Sequence, residues 1–379
     1  GNTLKFDGLQ IGSFFATMGI ASLFMPAVMG IIADRWIPAQ RLLGLCHLFA
    51  AGFITLAATR TDYNSLYTLV LLSVMFYMPT IALSNSVAYN ALEKAGLDTV
   101  THFPPIRVWG TVGFICAMWV VDLGKMGLSA TQLYFSATLG LILGLYSFTL
   151  PNCPINRSGG GKSIVDLLGL RAFALFKQRK MAIFFIFSML LGMSLQITNA
   201  FADGYIKSFG DTGIHGAKYL GTFGVEHSTI LISLSQISET LCILLIPFFL
   251  KRFGIKRVML IAMFAWVLRF ALLGAGNPGP GVWMFILSMI VYGVAFDFFN
   301  ISGSLFVEKE TSAAIRSSAQ GVFMIMTNGL GALIGSYLAG WIVNHYGWPL
   351  SWYLFAGFSL VVAIVFAVIF KYKHDPNRI

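Results

Sequence analysis

Two carboxylates lie inside long apolar segments of the chain, where a charge is costly. Glu239 is the only charged residue between Ile230 and Leu250, and Asp297 is the only acid in residues 281–305. An ionisable side chain in hydrocarbon costs at least about 2.5–3.5 kcal/mol and by default marks a function. Burial disfavours the charged form of a carboxyl group, so either residue could take up and release a proton near neutral pH.

Amide and aromatic side chains accompany these acids at helical spacing. Gln236 lies three residues before Glu239, and Gln196 and Asn199 have the same spacing, so each pair shares a helix face. Two further sets are Tyr292, Phe296 and Asn300 at successive fours, and Arg107, Thr111 and Phe114 at the start of another apolar segment. Amides and carboxylates can bind hydroxyls and ring edges while aromatic rings stack, which suits a polar solute that carries a ring. Alternatively, the amides hydrogen-bond a neighbouring helix and the aromatic residues are packing.

The composition identifies the environment of these residues. Of the 379 residues, 57% are hydrophobic and 11% are charged, against about 25% charged in soluble proteins. The mean hydropathy is +0.78, which predicts an integral, multi-pass membrane protein. The net charge of +10 comes from basic residues in short loops, a topological pattern rather than a nucleic-acid-binding patch. The four cysteines have no metal-like spacing, and we expect neither a metal nor a cofactor.

The apolar segments are long enough to be transmembrane helices, which need about 20 residues. They are too long, and alternate too little, to be membrane strands, so we predict an all-α membrane protein with eleven spans. The spans are residues 9–32, 42–59, 66–90, 106–123, 131–150, 181–203, 229–250, 257–275, 281–305, 319–343 and 350–370.

The distribution of lysine and arginine orients the spans. Nineteen of these residues fall in one set of loops and tails and five in the other, with Arg269 inside a span. Positive residues favour the cytoplasmic side, so we expect a cytoplasmic C-terminus and residue 1 outside.

The second part of the chain repeats the first. Gly30-Ile-Ile-Ala-Asp-Arg-Trp after the first span is echoed by Pro247-Phe-Phe-Leu-Lys-Arg-Phe-Gly after the seventh, which indicates a parallel repeat. In the second half a full span, residues 181–203, precedes the helix that carries the motif, and in the first half none does. We therefore expect that one helix before Gly1 is missing from this chain and that the intact protein has six plus six spans. We therefore divide the chain into an N-terminal half (1–151), a cytoplasmic linker (152–180) with an amphipathic helix from Ser163 to Lys177, and a C-terminal half (181–379).

Several longer stretches carry a family resemblance. The G-x-x-x-D-R motif at Gly30–Arg35 and the repeat resemble the major facilitator superfamily. More narrowly, FPPIRVWGTVGF (103–114), LQITNAF (195–201), SQISET (235–240) and YGVAFDFFNISGSLFVEKE (292–310) resemble the nucleoside:proton symporters. The resemblance implies a major facilitator fold and import of nucleosides across a bacterial inner (plasma) membrane, driven by the proton gradient. We expect a transporter rather than an enzyme, and we expect it to be a monomer. It also implies that the spans bearing the polar residues line a central cavity.

On this interpretation the residues take three roles. The expected solute-binding residues are Arg107, Thr111, Phe114, Gln196, Asn199, Gln236, Tyr292 and Phe296. Glu239 and Asp297 are the candidates for proton coupling, and Gly30, Asp34 and Arg35 resemble a motif that closes the cytoplasmic side.

Other polar residues keep open interpretations. Arg107 could pair with Asp297 or Glu239 across the cavity, or anchor a helix at the interface. Arg269 lies roughly 20 Å along its helix from Lys256 and is expected to snorkel to the outer face or to pair structurally. Secondary cavity candidates are Asn85, Tyr89 and Asn328.

Three rival functions remain open. Sugar symporters and drug exporters of the same fold use similar side chains. An intramembrane enzyme could use Glu239 and Asp297 as a carboxylate pair, but no His or Ser lies within one helical turn of both acids, and HExxH and GxSxG are absent from the sequence. A purely structural or receptor-like bundle would leave the two acids unexplained.

Overall fold

A computed structural model describes residues 4–97, 99–155, 170–212, 217–311 and 316–372, and these are almost entirely helical. A first helical group contains α1 (Gly8–Arg35), α2 (Ala39–Ala57), α3 (Tyr63–Lys94), α4 (Thr99–Leu123) and α5 (Thr131–Ser147). A second helical group begins with α6 (Arg179–Ser208) and ends with α11 (Leu350–Ile369). Helices are the expected solution in lipid, because they satisfy every backbone polar group within the segment.

A single helical run, Ser228–Ala275, contains a sharp break at Gly254. Its 48 residues would extend about 72 Å if straight, more than twice the thickness of the hydrocarbon core. Gly254 has φ 75° and ψ 166°, a conformation that glycine adopts without a steric penalty. We therefore name two helices, α7 (228–253) and α8 (255–275). The sequence predicted a loop here, but the turn is confined to one residue.

The remaining helices of the second group are α9 (Val282–Glu310) and α10. The helix α10 has three parts, Arg316–Met324, a π-helical segment Ile325–Gly331, and Ala332–Tyr346. Within the described residues, eight helices meet the length and hydropathy of a membrane span, with α7 and α8 measured together. The predicted count of eleven spans stays a prediction.

Each helical group packs around its own hydrophobic core. The buried apolar residues of one cluster lie between Met25 and Cys153, and those of the other lie between Leu175 and Phe370. The second core is rich in aromatic residues, with Phe184 in contact with Phe299, Phe306 and Phe323. Separate cores make each group a packing unit of its own.

The groups meet through glycines on α1 and α10. A Cβ atom on Gly12 would collide with the carbonyl oxygen of Ser336, and one on Gly19 would lie 2.7 Å from the amide nitrogen of Leu333. At the start of α1, the amide of Gly8 donates to Asn344 Oδ1 at 3.0 Å. Small residues let two membrane helices approach at backbone distance, so α1 and α10 form a tight seam.

A second seam joins α4 to α7. Trp119 Nε1 donates to Ser233 Oγ at 2.9 Å, and His227 Nδ1 lies 2.6 Å from Asp122 Oδ2. These residues lie at the end of α4 and the start of α7, at the same end of the bundle as the start of α1 and the end of α10. We call this end, which holds Gly8, Leu123 and Tyr346, the closed end.

Two expected segments differ from the structure. The first span was predicted to stop at residue 32, but α1 continues to Arg35, so the G-x-x-x-D-R motif lies in its last turns rather than in a loop. Residues 163–169 of the predicted amphipathic helix lie outside the described residues, and the remainder, Leu170–Lys177, is a 3-10 helix.

Candidate functional site

A cavity of about 410 Å³ lies between the two helical groups, near the closed end. It is lined by side chains from α1, α4, α6, α7, α8 and α9, so both groups contribute to its wall. Five of the predicted solute-binding residues line it, namely Phe114, Gln196, Asn199, Gln236 and Tyr292. The volume falls within the range of about 300–1,000 Å³ that is usual for small-molecule sites.

One face of α6 provides the longest polar wall of the cavity. Gln196 and Asn199 are followed on this face by Asp203 and Lys207, and all four line the cavity. Lys207 Nζ lies 2.7 Å from Asp203 Oδ2, and Ser228 Oγ donates to Asp203 Oδ1 at 2.7 Å. The sequence interpretation missed Asp203 and Lys207, although continuing the spacing from Gln196 by seven and eleven residues would have found them.

The cavity continues away from the closed end. A further space of about 610 Å³ shares Met18, Gln196 and Asn199 with the first and reaches Asn85 and Asn328. Asn328 lies in the π-helical segment of α10, a type of irregularity that is frequent at functional sites. Two of the three secondary candidates therefore line the cavity, while Tyr89 is exposed and lies against Phe103, with ring centroids 4.5 Å apart.

The two acids are brought together by close packing of α7 on α9. A Cβ atom on Gly293 would lie 2.6 Å from the carbonyl oxygen of Ser238, and Ser238 Oγ donates to the carbonyl of Ile290. Glu239 follows Ser238 on α7, and Asp297 lies one turn beyond Gly293 on α9, so the two acids lie on this closely packed pair of helices. Asp297 is only 4% exposed, and its Oδ2 has no hydrogen-bond partner, whereas Glu239 is half-buried.

The aromatic residues of α9 form a stack beside the cavity. The rings of Tyr292 and Phe296 are 5.8 Å apart and inclined by 13°. Tyr292 faces the main cavity, while Phe296 lines a smaller adjoining cavity with Asn300 and Asn328. Thr111 is half-buried and is not among the residues that line these cavities.

Some predicted site residues can be located only by their backbone. Arg107 lies in α4, and Asp34 and Arg35 lie in the last turn of α1, but their side chains fall outside the described part of the structure. Gly30 also lies in α1, and no atom comes within 4 Å of where its Cβ would be. Their predicted roles stay predictions.

Arg269 was expected to snorkel to the outer face or to pair structurally, and snorkelling is wrong. Its side chain is 1% exposed and lines the central cavity. Its Nη1 donates to the carbonyl of Ser288 at 2.5 Å, and its guanidinium carbon lies 4.7 Å from the ring centre of Tyr292. The sequence interpretation could not anticipate these partners, because they come from a different helix, α9.

The helices, the two cores and the cavity between them define a multi-pass membrane transporter. Comparison with known proteins makes the class specific, because the family model described as "Nucleoside H+ symporter" matches residues 1–375. The chain therefore belongs to the nucleoside H+ symporter family.

Two curated relatives and one solved structure illustrate this membership. The chain is 51% identical to the nucleoside permease NupG of Escherichia coli K12, over 98% of this chain and 90% of that protein. It is 50% identical to the xanthosine permease of the same organism, over 100% of this chain and 91% of that one. The crystal structure of the nucleoside transporter NupG superposes with a TM-score of 0.90 over 98% of this chain and 93% of that chain, at 51% identity. The predictions of the fold and of proton-coupled nucleoside import are confirmed.

Proposed function

We propose that the cavity between the helical groups binds one nucleoside and that the chain carries it inward together with a proton. The observation that carries this proposal is the cavity wall itself, where amides from α6 and α7 face aromatic rings from α4 and α9. The names of two relatives, a nucleoside permease and a xanthosine permease, support nucleosides, including xanthosine, as the substrate class.

Each side chain has a distinct task in this proposal. Gln196, Asn199 and Gln236 hydrogen-bond the ribose hydroxyls and the edge of the base, since an amide can both donate and accept. Phe114 stacks on the base, a contact that every base offers through its π-face, and Tyr292 forms part of the cavity wall. Arg107, Thr111 and Phe296 complete the site once the groups change their relative positions.

The cycle proposed here is alternating access by rocking of two halves, residues 1–151 and 181–379. Separate cores and tight seams at the closed end support this division. In the described state the site opens away from the closed end, toward Pro26, Asn85 and Asn328. We place the C-terminus and this opening on the cytoplasmic side of the inner membrane, with Gly30, Asp34 and Arg35 closing that side in the opposite state. The transporter acts as a monomer, and the proton gradient replaces any cofactor.

Uptake measurements test the function directly. Cells that lack their own nucleoside transporters express this transporter together with any segment that its gene encodes before Gly1, and they are offered labelled uridine, adenosine or xanthosine, and labelled glucose in parallel. We expect nucleoside accumulation that a protonophore abolishes, and no accumulation of the hexose. Hexose uptake without nucleoside uptake would instead establish a sugar symporter.

Removing the cavity amides is expected to weaken nucleoside binding. Each of the substitutions Gln196→Ala, Asn199→Ala and Gln236→Ala should cost about 1–3 kcal/mol, because a buried partner group is lost or left unsatisfied. Isothermal titration of the purified, correctly folded proteins with uridine measures the effect. Gln178→Ala is a suitable control, because Gln178 is exposed at the start of α6 and is not among the residues that line the cavity. Unchanged affinity in all three amide variants would contradict this assignment.

A further inference from the structure

Arg269 is a buried cation that the roles described above do not use. It is among the largest fully buried side chains of the described residues, at 1% exposure, yet it lines the same cavity as Gln236 and Tyr292. A buried guanidinium is costly in a membrane, and apolar residues often replace buried charges without loss of stability. Packing alone therefore does not explain an arginine at this position.

The guanidinium is fixed from one side by α9. Arg269 Nη1 donates to the carbonyl of Ser288 at 2.5 Å and lies 3.7 Å from Met289 Sδ. Ser288 Oγ donates back to the carbonyl of Arg269 at 3.1 Å. The two helices α8 and α9 are thus joined by hydrogen bonds in both directions. Its Nε is buried and has no hydrogen-bond partner.

The other partner of the guanidinium is the ring of Tyr292, 4.7 Å away. A cation over the face of an aromatic ring is attracted by the ring's quadrupole, most strongly where water is excluded. Trp266, also on α8, meets Tyr292 edge-on, with ring centres 6.0 Å apart and an interplanar angle of 90°. Phe296 stacks parallel to it. The ring of Tyr292 is therefore oriented by two residues of α8, Arg269 and Trp266. The sequence interpretation placed no site residue on this helix.

We propose that Arg269 is a positioning residue for nucleoside binding and acts by holding the ring of Tyr292 in its place in the cavity wall that the solute contacts. The inference rests on the proposed function of the cavity. It assigns Arg269 no direct contact with the solute and no proton. Its effect must therefore pass through an aromatic ring at position 292, and this requirement distinguishes it from a general electrostatic or structural effect.

The test combines substitutions at the two positions. Arg269→Met removes the cation at similar length, and Arg269→Lys keeps the charge without the planar guanidinium. Each is made in the wild-type background, in Tyr292→Phe, which keeps a ring, and in Tyr292→Leu, which removes it. Arg60→Met, which removes an exposed guanidinium between α2 and α3, is the matched control. The affinity for uridine is measured by isothermal titration, and the KM and maximal rate of proton-driven uridine uptake are measured in proteoliposomes.

We expect Arg269→Met to raise the dissociation constant and the KM about tenfold in the wild-type and Tyr292→Phe backgrounds, with a smaller change in maximal rate. Arg269→Lys should recover part of this loss. In the Tyr292→Leu background, Arg269→Met should change the dissociation constant less than about twofold, because the ring it orients is already gone.

Two outcomes would overturn the inference. An unchanged affinity in Arg269→Met would show that Tyr292 needs no support from the cation. An equally large loss in the Tyr292→Leu background would show that Arg269 acts as a charge on the solute or the acids. If wild-type protein fails to bind uridine, adenosine and xanthosine, the proposed function fails instead, and the three results are distinguishable in one set of titrations.

Discussion

Asp297→Asn is expected to abolish the accumulation of nucleoside against its gradient while leaving exchange across the membrane intact. Asp297 is almost fully buried and one of its carboxylate oxygens has no partner. An uncompensated negative charge there would cost several kcal/mol. The energy of this site therefore depends strongly on whether the carboxyl group carries a proton. Asparagine keeps the size and the hydrogen-bonding capacity of a protonated aspartic acid but cannot titrate. Binding should therefore persist while the coupling is lost.

Glu239→Gln should behave differently. Glu239 is half-buried and lies one turn from Gln236, a residue of the cavity wall. We expect this substitution to weaken nucleoside binding, because the carboxylate is a stronger hydrogen-bond acceptor than an amide oxygen. Linkage requires that an acid which binds the solute better in one protonation state also takes up its proton differently when the solute is bound. Both acids can therefore influence coupling, but only the loss of Asp297 should separate exchange from accumulation.

The measurement uses vesicles in two modes. Proton-driven uptake of labelled uridine reports accumulation, and exchange of labelled against unlabelled uridine in preloaded vesicles reports binding and conformational cycling. For Asp297→Asn we expect driven uptake to fall to the level of equilibration, at least about tenfold below wild type. The reason is that a membrane potential of 100 mV supplies about 2.3 kcal/mol per charge to the coupled protein. Glu93→Gln, an exposed acid at the end of α3, is the control. If both cavity variants still concentrate uridine and a protonophore collapses that gradient, the proton is carried elsewhere.

The helical positions of the cavity-facing residues followed from the sequence, because the period of an α-helix fixes which side chains share a face. The pairs Gln196 with Asn199 and Gln236 with Glu239 needed only a spacing of three. The cost of a charge in hydrocarbon singled out Asp297 in the same way. Each of these inferences uses one segment at a time.

The features that the sequence did not reveal depend on two segments at once. The environment of Arg269 is made by Ser288 and Tyr292 on α9, so its burial could not be read from α8 alone. Lysine and arginine on either side of Gly254 suggested an aqueous loop. The structure instead has a single residue with positive φ at this position. The packing role of the glycines of α1 depends on their contacts with α10, which is more than 300 residues away in the chain.

The contact of α1 with α10 gives the second prediction with a large expected effect. Gly12→Leu is expected to abolish transport, because it prevents the closed end from closing. Its Cβ would collide with the backbone of Ser336, which cannot move aside as a side chain can. Overpacking of a tight contact costs about 1–3 kcal/mol, and 1.4 kcal/mol changes a two-state ratio about tenfold. The state described here should therefore become a minor one, and a transporter that no longer visits both states does not turn over. Gly52→Leu on α2, where no atom lies within 4 Å of the Cβ position, should leave uptake unchanged.

The opening of the closed end can be measured with Val121→Cys, a cavity position near that end, in a background whose native cysteines are replaced. A membrane-impermeant maleimide added outside should label this cysteine faster when Gly12 is replaced by Leu. If uptake and labelling both stay at the wild-type level, the seam between α1 and α10 is not the contact that closes this end.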